Sequence, residues 1–432
     1  MKKLKYILYC FILFTTVGEA LNLEKVIQKN IYNNPQIRVA LANYQASKYE
    51  LERANAGYKP TLDVRAETGR ERTKIDYSFE GSRALNERQV ALVGSYNLFE
   101  GYKTTHEVGE KQASLEVSRN QLFEKVNKIS SFMVQVYLEL LRRKALLDVE
   151  EKNYQNHLET LEKVRRRLEA GDGYESDYRQ TKARVKLAEG NRLIAKRQYL
   201  NAQINYKRFL GRFPTINSME TPIVFLKSSD AGIEASVTLA KAKNFKLKAQ
   251  HAKVEVSKSL YAQEKSKYYP TLDVEVSQAW NNNVHGFEGK DNSQKVALVF
   301  NYNLYNGGAD QASQLSALKR SEMQEGSLDD IKLGVEEEVR IALMKYALLQ
   351  SQLDLNSEQL ELLRGTRALY ELEYQNSKRT IIDVLNIKQE YNYAQSQKIN
   401  AQYDQLLAYY QFKNAMGELI NEFHLDKLLE QR

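Results

Sequence analysis

Ionisable side chains at every second position mark two short runs of the chain: Asp63, Arg65 and Glu67, then Asp273 and Glu275. Asn97 in a third run, and Asn301 with Asn303 in a fourth, continue the alternation. In a strand, residues two apart share a face, so these groups line one side and aliphatic residues the other. Such a face hydrates a passage; it does not make or break bonds. No catalytic arrangement competes with that reading. There is no nucleotide-binding glycine loop and no His-Glu-x-x-His, and His106, His157, His251, His285 and His424 are scattered. No enzyme activity, metal or cofactor is expected.

The runs are strands near 61–68, 89–98, 271–280 and 295–304. Leu62, Val64 and Ala66 oppose the first charged set; Val90, Leu92, Tyr96 and Leu98 oppose Gln89, Ser95 and Asn97. The later two set Leu272, Val274, Val276 and Trp280, then Val296, Leu298, Phe300 and Tyr302, against their polar neighbours. A barrel wall with a wet lumen and a lipid-facing exterior has this pattern, and so does a four-stranded sheet packed on helices. Aromatics gather at the strand ends (Tyr58, Phe99, Tyr102, Tyr268, Tyr269, Tyr305), as an interfacial belt does. The polar, glycine-containing stretches 69–88 and 281–293 read as outward loops.

The strands belong to a duplicated unit. Residues 58–64 (YKPTLDV) return at 268–274 (YYPTLDV), and 90–101 (VALVGSYNLFEG) return at 296–307 (VALVFNYNLYNG). From there the offset holds at 206, pairing Asp177 with Asp383 and Gly211 with Gly417. The repeats span 21–211 and 236–417. Each opens with helical sequence; Asn34-Pro35 interrupts the first, and the counterpart Asn244-Phe245 lacks the proline, so that break reads as dispensable. After each strand pair comes a very long helix, about 103–168 and 309–373, each on the order of 100 Å at ~1.5 Å per residue. Leu122, Val126, Ile129, Met133, Val136 and Leu140, and a matching set from Val335 to Leu363, form narrow coiled-coil seams. Short turns at 170–173 and 375–378 lead into return helices. Segments 212–235 and 418–432 remain as an equatorial belt.

The 432 residues contain five Pro and 28 Tyr, with a mean hydropathy of −0.58, as long polar helices would. Residues 1–20 have the form of a signal peptide: Lys2, Lys3 and Lys5, an apolar run, then Gly18-Glu19-Ala20 for cleavage after Ala20. The one cysteine, Cys10, sits within that run, so neither lipidation nor a disulfide is expected. The net charge of +8 is spread along helices with alternating sign, which argues against nucleic acid as a partner. Four strands cannot close in lipid without leaving backbone groups unpaired, so identical chains must share one barrel.

The two Tyr-x-Pro-Thr-Leu-Asp openings, the Tyr-Asn-Leu-(Phe/Tyr)-x-Gly junctions and Arg379-Thr380-Ile381-Ile382-Asp383-Val384-Leu385 resemble the TolC-like outer-membrane efflux protein family over essentially the whole mature chain. Segment 164–185 (VRRRLEAGDGYESDYRQTKARV) looks most like the type I secretion branch, particularly adhesin exporters. The resemblance implies a mainly α fold with a membrane β-barrel: a homotrimer of duplicated β-β-α-α units forming a 12-stranded barrel, an α-helical periplasmic barrel and an equatorial belt. It implies the outer membrane of a Gram-negative cell, extending into the periplasm. The implied partners are outer-membrane lipid, a periplasmic adaptor protein and an inner-membrane ATP-binding-cassette transporter or proton-driven pump. On the family pattern, a periplasmic gate involves Tyr374, Arg379 and Asp383, facing Ser176 and Asp177. Asp383 would form a cation-attracting ring, and Asn386 stands where a second acidic residue is frequent. The plain alternative is that Asp177 and Asp383 cap helix starts. Two rival functions are the outer channel of a proton-driven drug pump and a soluble periplasmic coiled-coil scaffold.

Overall fold

The computed structural model describes residues 22–74, 82–226 and 232–425. The signal segment 1–20, the hairpin tip 75–81, linker residues 227–231 and the end 426–432 lie outside the described residues. The first repeat runs α1 (Leu23–Asn30), α2 (Pro35–Asn55), β1 (Thr61–Lys74), β2 (Ser82–Phe99), α3 (Lys103–Glu169) and α4 (Glu175–Leu210). The second runs α5 (Ile233–Lys243), α6 (Phe245–Ser266), β3 (Thr271–Asn282), β4 (Lys290–Asn301), α7 (Ala309–Gln375) and α8 (Ile381–Ala415), and α9 (Leu419–Glu422) follows. The long helices α3 and α7 both have 67 residues, as one register carried through a duplication requires.

Pro35 opens α2, where its missing N–H costs nothing. The second repeat breaks at the same place without proline. Asn244 takes an extended ψ of 122° and its side chain accepts from the amides of Lys246 and Leu247. The break that reads as dispensable is thus kept in both copies, by an N-cap in one and a proline in the other.

Two compact units divide the chain. Pro35–Lys125 with Val237–Glu338 form one; Met1–Asn34, Val126–Ser236 and Val339–Arg432 form the other. The first holds the antiparallel sheet β1-β2-β3-β4. Its helices pack through Leu247, Val254 and Leu328, with the Phe123 and Phe245 rings 5.2 Å apart. In the second unit, Val126, Met133, Val136 and Leu140 are buried along α3, the spacing of a seam. There the Tyr137 hydroxyl donates to the Glu220 carbonyl at 2.8 Å and accepts from the Glu220 amide at 3.1 Å, which fixes the belt segment to α3.

The strands differ in length from the alternating runs. Pairing of β1 with β2 continues from Thr68↔Arg88 to Lys74↔Ser82. Beyond Ala66 the apolar face changes to Thr68, Arg70 and Arg72, so the sequence pattern ends while the backbone ladder does not. β4 starts at Lys290 and stops at Asn301. Asn303 has left the sheet, its side chain accepting from the Tyr305 amide at 3.1 Å in a turn.

Candidate functional site

The register brings the alternating sets onto common faces. Asp63 lies opposite Val93, Glu275 opposite both Ser95 and Ala297, and Asp273 opposite Asn97 and Val299. Asp63, Arg65 and Glu67 of β1 therefore share a face with Asn97, Asp273, Glu275 and Asn301; Asn303 lies off it. Thr61 and Ser95 hydroxyls meet at 2.7 Å, and the Asn97 amide donates to Asp273 at 2.8 Å. On the other face, Leu62, Val64, Val296 and Leu298 are each at least 70% exposed. A sheet packed on helices would bury that face, so the chain carries an uncovered apolar wall with a polar reverse side.

One register shift, between Asn97 and Phe99, turns the end of β2 so that Phe99 pairs with Leu272. The Phe99 ring meets Tyr102 and Tyr269 edge to face at 5.7 and 6.3 Å. Gly101 follows with φ +64°, and a Cβ there would stand 2.7 Å from the Ser266 carbonyl oxygen and from Tyr269 Cβ. Only glycine fits this junction. Its counterpart Gly307 has φ +57° and nothing within 4 Å among the described residues. Strands β1 and β4 are the sheet's free edges.

The two helix turns hold the remaining expected residues. Between α3 and α4, Gly171 takes φ +78° and the Asp172 amide bonds the Arg167 carbonyl at 2.9 Å. Between α7 and α8, Ser377 takes φ +55° and the Lys378 amide bonds the Glu373 carbonyl at 2.9 Å. Arg379 turns back onto its own repeat, donating to Glu373 at 2.6 Å and lying 3.6 Å from the Tyr370 ring centre. Asp383 forms a capping box with Thr380, accepting from the Thr380 hydroxyl at 2.7 Å. Asn386 is exposed and accepts from Arg184 of α4 at 3.2 Å. Ser176 is exposed, and the Asp177 side chain has no partner among the described residues. Tyr374, like Asn386, reaches the other repeat. The Arg167 guanidinium lies 5.3 Å from its ring centre, and the ring packs with Tyr178 on the cluster of Val164, Ile381, Val384 and Leu385. Arg379 and Asp383 do not meet Ser176 or Asp177 within the chain.

Sequence reasoning missed a buried polar group beside these turns. Lys388 of α8 donates to Thr160 of α3 at 2.9 Å and lies 3.4 Å from Glu371 of α7. One turn along α3, His157 is 5% exposed and its Nδ1 finds no partner among the described residues. Burial, reinforced by the Lys388 and Arg184 charges, lowers the His157 pKa to about 4. The available signal was positional, since Lys388 continues the buried line Ile381, Val384 and puts a charge where an apolar residue is expected.

On α7, Ile341, Leu348, Leu355, Leu362 and Leu369 recur every seventh residue and are 57–70% exposed. Leu187 and Ile194 repeat the spacing on α4, also exposed.

A family model described as outer membrane efflux protein matches residues 26–212 and 237–418. The outer membrane efflux protein BepC of Brucella suis biovar 1 is 22% identical over 90% of this chain and 83% of its own. The proteases secretion protein PrtF of Dickeya chrysanthemi is 24% identical over 72% of this chain and 70% of its own. A solved membrane protein from Pseudomonas aeruginosa shares the fold with a TM-score of 0.81 at 16% identity, covering 92% of this chain and 91% of that one. The matched spans are the two repeats, and the chain belongs to the outer membrane efflux protein family: it is an outer-membrane channel protein whose helices extend into the periplasm.

Proposed function

We propose that the chain is the outer-membrane exit duct of a tripartite type I secretion system, passing a secreted protein such as a large adhesin. It would work as a homotrimer with a 12-stranded barrel, joined to a periplasmic adaptor and an inner-membrane ATP-binding-cassette transporter. The observation that carries the assembly is the contrast between Gly101 and Gly307. Gly101 is closed over by Tyr269 of the next repeat, whereas Gly307, its counterpart, faces open space. By the repeat relation, Lys59 of the partner subunit would fill that space. The free edges of β1 and β4 and the exposed heptad stripe on α7 ask for the same neighbour. The secretion branch is supported by segment 164–185 and by the likeness to a protein named for protease secretion. Deleting the gene should abolish export of a large secreted protein and leave drug tolerance intact. The reverse outcome selects the second reading, the outer channel of a proton-driven multidrug pump, which the likeness to BepC favours.

The gate reading places the closing contacts at Tyr374 and Arg379, with Asp383, Asn386, Ser176 and Asp177 around them. Arg379 holds the α7–α8 turn through Glu373 and Tyr370, and the Tyr374 hydroxyl ties it to Arg167 by a hydrogen bond from the guanidinium. Loss of either hold should let the turn move outward. Arg379→Ser and Tyr374→Phe are expected to raise single-channel conductance in planar bilayers about two-fold, a change worth about 0.4 kcal/mol. Unchanged conductance in both variants rejects the gate.

A further inference from the structure

Helices α3, α7 and α8 enclose a cavity of about 400 Å³ beside the turns. Its lining is electrostatically one-sided. Lys152, Lys163, Arg364, Arg367 and Lys388 contribute five cations. The only carboxylates in the lining are Glu159 and Glu371, and Glu371 already serves Lys388. Lys152 and Lys163 have no ion-pair partner among the described residues. Arg367 lies with its guanidinium 4.3 Å from the Tyr391 ring centre, and its buried Nε finds no acceptor among the described residues.

Lys388 and Arg367 are the cations set into the wall, and of these only Lys388 has a carboxylate, so Arg367 keeps a partly buried charge without one among the described residues. Lys152, Lys163 and Arg364 add like charge from the exposed rim, where Arg364 also pairs with Glu361. Burial holds the Lys388 ammonium below its usual range, and the Lys163 and Arg367 charges push the same way against Glu371. The Asn156 amide adds a neutral donor to the wall, while that of Asn392 already donates to Glu150 at 3.0 Å. The unmet requirement is negative charge with several acceptor oxygens.

Position on α7 keeps the cavity separate from the apolar stripe. Arg364, Arg367, Glu371 and Tyr374 recur at helical spacing on one face. At ~100° per residue, Arg364 and Glu371 stand roughly 200° around from Leu362 and Leu369. A neighbour packed on the leucines leaves the cavity face uncovered.

We propose that this cavity is a binding site for a small oxyanion carrying at least two negative charges, held by Lys388, Arg367 and Lys163. Phosphate-type and carboxylate-type ligands share that chemistry, and the site binds through it. Its occupation would join α3 of the first repeat to α7 and α8 of the second.

The test is titration calorimetry on the full-length mature protein in detergent at pH 7, with sodium pyrophosphate and sodium citrate as probes and sodium chloride at matched ionic strength as the blank. One saturable site per chain is expected for at least one probe, and the tighter probe identifies the ligand type. Lys388→Gln should weaken binding at least about tenfold. Lys163→Gln, which breaks no ion pair and so should fold normally, should weaken it about three-fold or more through the lost charge. Arg197→Gln, an exposed cation on α4 outside the cavity, should leave the affinity unchanged. No saturable binding beyond the chloride blank overturns the proposal. So does an affinity that Lys163→Gln leaves intact, or that Arg197→Gln lowers as much as Lys163→Gln does.

Discussion

The two helix turns lie 206 residues apart in the duplication and are closed by different means. The first uses Gly171 for its left-handed residue, pairs Arg167 with Asp172 at 2.9 Å, and starts α4 at Tyr174 with no side-chain cap. The second accepts a serine at φ +55°, folds Arg379 back on Glu373 and Tyr370, and starts α8 with a Thr380–Asp383 capping box. A left-handed serine costs on the order of 1 kcal/mol relative to glycine, and a good cap returns about as much. The second copy therefore has a costlier turn held by more local contacts, and the first a relaxed turn with an unengaged Asp177. Duplication preserved the geometry and let the means of holding it diverge.

Five substitutions test that contrast, and three of them, His157→Leu, Ser377→Gly and Gly171→Ser, give one copy its counterpart's residue. The largest effect is expected at His157, whose repeat counterpart is Leu363. The folded-state pKa of about 4 is below the ordinary 6.5, so the unfolded chain takes up this proton first. Stability from the neutral imidazole is full above pH 6.5, falls as pH drops from there towards 4, and is constant below. A shift of that size is worth about 3 kcal/mol. His157→Leu should remove that loss, read as the difference in thermal midpoint of the helical circular dichroism at pH 7 and pH 4.5. An equally acid-sensitive variant would place the sensitivity elsewhere.

Next comes the cap. Thr380→Ala should cost about 1 kcal/mol, while Tyr174→Ala in the uncapped copy should cost a few tenths at most. Comparable losses in urea unfolding would show that the capping box is not what separates the turns. The smallest effect is Ser377→Gly, which relieves the left-handed residue and should stabilise by about 0.5–1 kcal/mol. Gly171→Ser should lose a similar amount.

Much of this was legible in the sequence because a repeat measures its own register. A fixed offset of 206 located both long helices to within two residues, and alternation located all four strands. What escaped detection has specific causes. The ladder beyond Thr68 is carried by backbone groups, which side-chain patterns do not report. The break at Asn244 depends on a cap that a search for proline passes over. Thr380-x-x-Asp383 does have the spacing of a capping box, and the structure gives it that geometry. The basic cavity was hidden because its cations come from α3 and, about two hundred residues further along the chain, from α7 and α8.

The hydroxyl of Tyr137 holds residue 220 by its main-chain amide and carbonyl. Such a grip is blind to the side chain it holds. Over evolutionary time the glutamate there is free to drift to almost any other residue, with proline the exception because it lacks the N–H. This segment can thus vary its outward chemistry from lineage to lineage while the Tyr137 and Tyr403 phenols keep it fastened.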